Sequence, residues 1–248
     1  MVMPGQASWR RTLLRARRLS IAQAARDGWL VLAPHPDDEA LGAGGLIAGL
    51  SASSARLSVA FLTDGSGSHV GAPGWSAKRV AALRAGEARA ALRVLGSTAT
   101  PMLLGWRDAA PYAADSVAFG HTVDRLVAHC RRERLTRVTT TWAHDPHCDH
   151  QAAAAVACAV AQRLGTTPLF YCVWGWTRAD VAERLARVRP LVIRSSARRG
   201  IERRALACHR SQMGARITGA RDRFVLPRAM RRLVDRRFTI LLEERDAA

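Results

Sequence analysis

The sequence predicts an α/β fold in which a mostly parallel, doubly wound sheet carries helices on both faces. Two observations predict it. Short apolar segments alternate with longer segments rich in Ala, Leu and Arg through most of the chain, which is the pattern of parallel strands joined by crossover helices. In addition, acidic and imidazole side chains follow directly after apolar segments, and α/β proteins bind ligands at the carboxyl ends of their strands.

Five apolar segments are predicted as strands. The first, Trp29–Ala33, reads as a buried strand, and the others are residues 56–63, 101–105, 137–142 and 168–173. Helices are predicted between them at residues 39–53, 76–95, 116–133 and 151–164. Ser76 is a plausible N-cap for the longest helix. This alternation is typical of a Rossmann-like single domain.

Both ends of the chain are rich in arginine. Residues 8–26 can form a basic helix with an apolar stripe, inside an N-terminal segment that spans 1–27. The core domain is predicted over 28–178. Residues 179–248 are predicted as an Arg-rich, helical extension of the same domain, because neither a repeat nor a Gly/Ser linker sets them apart.

Composition narrows the class of protein. No apolar run approaches the roughly 20 residues of a membrane span, and the N-terminus lacks the apolar stretch of a signal peptide. Five cysteines without paired spacing indicate reduced thiols, so we expect a cytoplasmic protein. The formal net charge of +18 attracts anions. Arginine-rich stretches make a nucleic-acid-binding module a remote alternative, but no recognisable nucleic-acid motif accompanies them.

Two polar clusters carry the chemistry that the sequence suggests. The first occupies residues 35–39, with one histidine and three carboxylates, and the second occupies residues 144–150, with three histidines and two aspartates. Both follow strands of a parallel sheet, so both emerge at the same edge and can converge. Two imidazoles and one carboxylate are the ligands of a catalytic zinc that keeps a position open for water.

The motifs resemble those of a known family. Residues 34–39, Pro-His-Pro-Asp-Asp-Glu, look like the first signature of the PIG-L/LmbE family of zinc-dependent de-N-acetylases, and residues 147–150, His-Cys-Asp-His, are similar to its second motif. The segment Leu-Thr-Asp-Gly at 62–65 and the pair Arg84 and Glu87 also fit. The likeness is good over roughly 28–175 and continues weakly to residues 207–212.

The resemblance implies a set of roles. The zinc ligands would be His35, Asp38 and His150, with Fe²⁺ left open as the metal used in the cell. Asp37 would be the general base that takes a proton from water.

The remaining roles concern the second motif and the substrate. His147 would stabilise the oxyanion or protonate the leaving amine, while Asp149 orients its ring and raises its pKa. Arg84 and Asp108 would contact the substrate.

Several residues keep a plainer alternative. Asp37 could cap the following helix, and Glu39 could be structural. His144 and Asp145 are predicted as loop residues or substrate contacts, and Cys148 as a minor alternative ligand. His69 and His121 are predicted at the surface.

The expected function is hydrolysis of the N-acetyl group of an N-acetylglucosaminyl conjugate. The partner would then be a small amino-sugar conjugate, and the positive charge favours an anionic one. An amidase acting on another N-acyl or thiol-conjugate substrate is the alternative. The sequence leaves open a homo-oligomer and predicts no specific nucleic-acid partner.

Overall fold

The computed structural model describes residues 6–177, 182–194, 200–236 and 238–244. Its strands are β1 (Arg17–Ser20), β2 (Trp29–Ala33), β3 (Leu57–Thr63), β4 (His69–Val70), β5 (Met102–Trp106), β6 (Arg137–Thr141), β7 (Leu169–Tyr171), β8 (Val188–Arg194), β9 (Asp222–Arg223) and β10 (Phe238–Glu244). Its α-helices are α1 (Gln6–Leu14), α2 (Ile21–Ala24), α3 (Asp38–Gly42), α4 (Gly44–Ala52), α5 (Ala77–Val94), α6 (Val117–Glu133), α7 (Cys148–Leu164), α8 (Ala182–Ala186), α9 (Ile201–Leu206) and α10 (Arg228–Arg231). Short 3₁₀ turns lie at Ser66–Ser68, Trp174–Thr177 and Arg232–Asp235.

Within these ranges eight strands form one sheet, in the order β1-β8-β10-β7-β6-β2-β3-β5. The pairs β7–β6, β6–β2, β2–β3 and β3–β5 are parallel, as is β1–β8, whereas β10 pairs antiparallel with both β7 and β8. The predicted fold class, a mostly parallel doubly wound sheet, is confirmed.

Helices cover both faces of the sheet because side chains alternate along each strand. Along β2, Trp29, Val31 and Ala33 join an apolar cluster formed with α3, α4, α5 and α9. Leu30 and Leu32 join the opposite cluster, formed with α6 and α7. None of the helices in the described ranges combines the length and the apolar character needed to span a bilayer.

The helix caps follow sequence signals. Ser76 Oγ accepts a hydrogen bond from the backbone N–H of Arg79 at the start of α5, as predicted. Ser116 caps α6 in the same way through the N–H of Phe119. The helix α7 begins at Cys148 rather than at residue 151, with His147 in the N-cap position.

The N-terminal segment differs from the predicted helix over residues 8–26. The helix α1 ends at Leu14, and residues 17–20 form β1, which pairs along β8 from Arg17 opposite Leu191 to Ser20 opposite Arg194. Strand pairing at the sheet edge has thus overridden local helix propensity. Ser20 then caps the short helix α2. Residues 1–5 of this predicted segment lie outside the described residues.

The C-terminal segment is less helical than predicted. Its strands β8 and β10 are seven residues long and extend the main sheet, while α9 and α10 are short. In β10, four consecutive residues from Thr239 to Leu242 are buried. The sequence of this strand therefore does not alternate between apolar and polar residues, and that alternation is the usual signal for a strand. Residues 178–181, 195–199, 237 and 245–248 of the predicted core end and extension are outside the described ranges.

The helix predicted over 39–53 is divided into α3 and α4 at Ala43. Gly42, at the end of α3, faces the ring of Tyr171, which is fully buried. A Cβ at position 42 would lie 2.0 Å from Cδ2 of Tyr171. Glycine therefore lets α3 pack directly on the end of β7.

Gly42→Ala is expected to lower the free energy of unfolding by about 1–3 kcal/mol, because the added methyl group must displace a buried ring. Gly120→Ala, inside α6, is the matched control. A Cβ there meets nothing within 4 Å, so that change should stabilise by about 0.5–1 kcal/mol. Urea unfolding of both variants measures the difference, and equal effects of the two substitutions would contradict the packing argument.

Candidate metal centre and active site

The two polar clusters meet at the centre of the sheet. The chain runs from β2 to β3 and β5 on one side, and then returns to β6 and β7 on the other. The carboxyl ends of β2 and β6 therefore flank the switch point, where open α/β sheets bind ligands. The rings of His35, after β2, and His150, after β6, have centroids 5.5 Å apart. The predicted convergence is present.

Asp38 lies at the middle of this cluster. Its Oδ2 is 3.1 Å from Nδ1 of His35 and 3.3 Å from Nε2 of His150. All three residues are buried. Ligand atoms around a tetrahedral zinc with bonds of 2.0–2.1 Å lie roughly 3.3 Å apart. The two distances from Asp38 Oδ2 to the imidazole nitrogens are close to this spacing.

The second nitrogen of each imidazole contacts a further buried carboxylate. Nδ1 of His150 donates to Oδ2 of Asp145 at 3.1 Å, and Nε2 of His35 donates to Oδ2 of Asp149 at 2.9 Å. A carboxylate behind a ligating histidine fixes the orientation and tautomer of its ring. Nδ1 of His35 and Nε2 of His150 are thereby directed at Asp38.

Asp145 is more central than the sequence indicated. It is fully buried, and besides His150 its carboxylate accepts the backbone N–H groups of Val173, Trp174 and Gly175 at 3.1, 3.1 and 2.7 Å. These bonds tie the end of β6 to the turn after β7 and compensate for burial of the charge. Its position five residues before His150 was visible in the sequence, but its partners across the sheet were not.

His147 and Asp149 are arranged differently from the prediction. Asp149 contacts His35 at 2.9 Å and lies 3.9 Å from Nδ1 of His147. Nδ1 of His147 instead accepts the backbone N–H of Asp149 at 3.2 Å. Because that nitrogen accepts, the neutral ring carries its proton on Nε2.

The predicted rise in the pKa of His147 is wrong. Burial and the charges of His35 and His150 lower the pKa of the ring, and the opposing effects of Asp149 and Asp38 are smaller. These effects favour the neutral form of His147, with its proton on Nε2. It is about one-third exposed, so it is accessible from the cavity.

Asp37 is held in a strained backbone conformation, with φ 138° and ψ −28°. Such a conformation costs a non-glycine residue about 1–3 kcal/mol and is typical of functional sites. Its side chain makes no capping hydrogen bond to α3, so the capping alternative is wrong. Burial raises the pKa of Asp37 to about 7, against the opposing charge of Arg84, whose Nη2 lies 3.5 Å from Oδ1.

Arg84 and Asp108, predicted to contact substrate, have protein partners. Arg84 is buried, and its two terminal nitrogens donate to the carbonyl oxygens of Gly65 at 2.9 Å and Pro36 at 2.7 Å. Oδ2 of Asp108 accepts the backbone N–H of Gly67 at 2.9 Å, and Oδ1 lies 3.3 Å from Nε2 of His35. Both residues line the cavity, so contact with substrate stays a prediction.

Glu39 forms a buried pair that the sequence did not indicate. Its Oε2 accepts the backbone N–H of Asp37 at 2.8 Å, and its Oε1 is 2.8 Å from Nε2 of His209. Burial lowers the pKa of His209, but the charge of Glu39 and its hydrogen bond outweigh burial and raise it overall. The structural prediction for Glu39 fits these contacts. The C-terminal segment thus supports the strained turn at Asp37.

The carboxylates around the buried histidines raise the pKa of both rings. Burial lowers the pKa of His150, but Asp38 and Asp145 raise it to about 9. For His35, hydrogen bonds with Asp108, Asp149 and Asp38 outweigh burial and raise the pKa well above its usual value. The opposing charges of both histidines hold the pKa of Asp38 well below its usual range, although burial opposes this. Each ring therefore faces a carboxylate at both of its nitrogens.

A cavity of about 190 Å³ lies over this cluster. Its polar floor is formed by His35, Asp37, Asp38, Arg84, Asp108, His147 and His150. Its walls are largely apolar and come from α3 and from residues after β7. The apolar wall residues are Leu41, Trp174, Phe224, Leu226 and Met230, and the rest of the lining comes from Gly67, Ser68, Ala109 and Gln212. The cavity can therefore accept a substrate with both polar and apolar surface.

Three other predictions concern residues near these clusters. His144 contacts Arg184 and Glu244 and does not line this cavity. Cys148 is exposed and is absent from the groups of potential metal ligands among the described residues. His69 is buried rather than at the surface, with Nδ1 3.0 Å from the hydroxyl of Ser68.

The donor set fits a divalent metal. Among the described residues, His35, His147 and His150 offer ligand atoms within 4.8 Å of one another, and His35, Asp108, His147 and Asp149 form a second such group. Asp38 belongs to neither group, and its place in the ligand set stays a prediction. Buried nitrogen and oxygen donors in this mixture are typical of zinc and of other first-row metals.

Asp145→Asn is expected to weaken metal binding by about 10–100-fold, because an amide does not replace the charged acceptor behind His150. Asp124→Asn is the matched control, since Asp124 is an exposed carboxylate of α6 that pairs with Arg163. Zinc titration against a competing chelator measures both affinities. The same affinity in the two variants would show that Asp145 does not support the site.

Comparison with solved structures identifies the relatives of this fold. N,N'-diacetylchitobiose deacetylase from Pyrococcus horikoshii has 20% identity and a TM-score of 0.57, over 75% of this chain and 70% of that one. A triple mutant of the deacetylase Orf2 of the teicoplanin biosynthetic pathway has 19% identity and a TM-score of 0.62, over 89% and 100%. Orf2 has also been crystallised in a zinc-inhibited form. GalB, the 4-carboxy-2-hydroxymuconate hydratase of Pseudomonas putida KT2440, has 19% identity and a TM-score of 0.52, over 76% and 80%.

The family comparison is more specific than the fold. No curated protein matched this chain in sequence. The sequence pattern of PIG-L, described as GlcNAc-PI de-N-acetylase, matches residues 30–161, which is just over half of the chain and contains both polar clusters. The chain therefore belongs to the PIG-L family and is a metal-dependent N-deacetylase.

Proposed function

We propose that this deacetylase acts on an N-acetylglucosaminyl conjugate and uses Zn²⁺ held by His35, Asp38 and His150. The observation that carries the ligand set is the position of Asp38 Oδ2 between the two imidazoles, 3.1 and 3.3 Å away. The family description, GlcNAc-PI de-N-acetylase, supports the substrate class. The five free thiols agree with the expected cytoplasmic location.

The residues around this site divide the reaction among them. A bound divalent metal supplies Lewis acidity, which lowers the pKa of water and polarises a carbonyl. Asp37 takes the proton of the attacking water, since a carboxylate with a pKa of about 7 is both available and basic enough at neutral pH. The same carboxyl group can then return that proton to the leaving amine.

His147 stabilises the charge that develops on the acetyl oxygen. Its Nδ1 is occupied by the N–H of Asp149, so its Nε2–H is free to donate, and a fixed neutral donor needs no reorganisation during the reaction. Asp149 and Asp145 act as positioning residues through His35 and His150.

A second candidate is an amidase that removes a longer acyl group. The apolar wall formed by Trp174, Phe224, Leu226 and Met230 favours it, because apolar side chains beside a reacting amide stabilise an alkyl chain better than solvent does. Acyl length therefore has to be part of the test.

Acetate release by metal-stripped protein, before and after one equivalent of Zn²⁺ or Fe²⁺, tests the proposal. The substrates are N-acetylglucosamine and its inositol, malate, nucleotide and lipid-linked conjugates, each with an acetyl or an octanoyl group. Metal-restored release of acetate from at least one conjugate is expected. Release of octanoate alone would support the amidase, and no release from any substrate would contradict both candidates.

Asp37→Asn provides the control, because it removes the base while the proposed ligands remain. It should bind metal normally and lose about 10²–10⁴-fold in turnover. Full turnover by this metal-loaded variant would exclude Asp37 as the base.

The pH dependence of the reaction should depend on Arg84. Its charge lowers the pKa of Asp37, so Arg84→Met should raise that pKa and move the acidic limb of kcat/KM to higher pH by about one unit or more. Arg84→Lys keeps the charge and should leave the limb closer to that of the wild type. Identical limbs in the two variants would show that Arg84 does not tune the base.

A further inference from the structure

Gln212 is a cavity residue beyond the part of the chain that matches the family pattern. It is fully buried and lines the cavity together with Ser68 and Phe224. Its backbone carbonyl accepts the N–H of Leu226 at 2.9 Å. This backbone bond holds Gln212 in the cavity lining next to Leu226, another residue of the wall.

The orientation of its amide follows from its neighbours. Oε1 and Oε2 of Glu87 accept the backbone N–H and the hydroxyl of Ser211, at 2.9 and 2.6 Å. Because the hydroxyl proton of Ser211 is used on that carboxylate, its oxygen acts as an acceptor toward Gln212 at 3.0 Å. The group that faces Ser211 must then be the NH₂ of Gln212.

The carbonyl oxygen of the same amide, in contrast to the NH₂ group, accepts no hydrogen bond from a neighbouring residue in the described part of the chain. Oε1 of Gln212 is buried and has no hydrogen-bond partner among the described residues. A buried acceptor without a partner costs about 1–3 kcal/mol. Since Gln212 lines the substrate cavity, a donor group on the substrate can satisfy this oxygen.

The neighbouring side chains indicate the kind of donor. Trp174 and Phe224 line the same cavity, with ring centroids 6.0 Å apart. A sugar ring offers hydroxyl donors at its edge and an apolar C–H face, which matches an acceptor beside aromatic rings. A carboxylate or phosphate oxygen offers no proton and does not match.

We propose that Oε1 of Gln212 accepts a hydrogen bond from a ring hydroxyl of the sugar that carries the acetamide, and so determines which sugars are accepted. This rests on the proposed function, since it requires an amino-sugar substrate. The backbone bond from the N–H of Phe224 to the carbonyl of Ser68, at 2.9 Å, and the pairing of β4 with β9 hold the aromatic part of the wall.

The test compares N-acetylglucosamine with its 3-, 4- and 6-deoxy forms, each as the glycoside that the wild-type protein deacetylates. The wild type should lose at least about tenfold in kcat/KM with one deoxy form, because Oε1 is left without its partner. Gln212→Met should lose a similar factor with the parent sugar and show no further loss with that deoxy form. Gln162→Met, an exposed position on α7, should behave as the wild type.

Two results would overturn the inference. One is equal kcat/KM of the wild-type protein for the parent sugar and all three deoxy forms. This result does not depend on whether any variant folds. The other is a Gln212→Met protein that discriminates among them as the wild type does. A wild type that deacetylates none of the glycosides would instead contradict the proposed function.

Discussion

The site depends on the pairing of buried carboxylates with imidazoles at the switch point of the sheet. An unpaired buried carboxylate is costly, and here Asp38, Asp145 and Asp149 each contact His35 or His150 within 3.3 Å. The pairing sets the orientation of both rings before any cation binds. It also joins three separate strand ends, since Asp145 accepts backbone groups that follow β7. Loss of one member would therefore disturb the arrangement of several loops together.

The turn at Asp37 shows how the fold maintains a strained conformation. The backbone N–H of Asp37 donates to Glu39, and Arg84 donates to the carbonyl of Pro36 just before it. Glu39 is in turn paired with His209 in the C-terminal segment. Residues distant in sequence thus hold the proposed base in a conformation that Asp37 would not adopt alone. In this conformation the carboxyl group is buried, and burial raises its pKa despite the opposing charge of Arg84.

Much of the fold was predictable because its strongest elements have local signals. β2 has the predicted bounds, since five apolar residues end at a proline turn, and α5 and α6 begin after serine caps. Edge strand β1 and the inserted strand β10 were missed because their stability comes from pairing with β8, which no local pattern encodes. The same limit applies to α3 and α4, whose separation at Ala43 accompanies the close approach of Gly42 to Tyr171.

For the candidate site, the sequence predicted which residues come together but not which of them contact each other. Motif spacing identified which residues would gather, and the structure brings His35, Asp38 and His150 together. Partner choice was not predictable, because Asp149 is two residues from His147 in sequence yet contacts His35 across the sheet. His69 was expected at the surface but is buried in strand β4, where it pairs with Arg223 of β9. Such contacts depend on the three-dimensional path of segments that carry no motif.

The floor and the apolar wall of the cavity come from different parts of the chain. Its charged floor lies within residues 30–161, the part that matches the family pattern. Most of its apolar wall, from Trp174 to Met230, comes from later residues that the pattern does not cover. Changes in the wall can therefore alter the shape of the cavity while the residues of the floor stay the same. The fold itself does not determine the reaction, since a hydratase shares it. The wall is therefore the part of the cavity in which relatives with the same floor can differ, and it includes Gln212, the residue that we propose contacts the sugar.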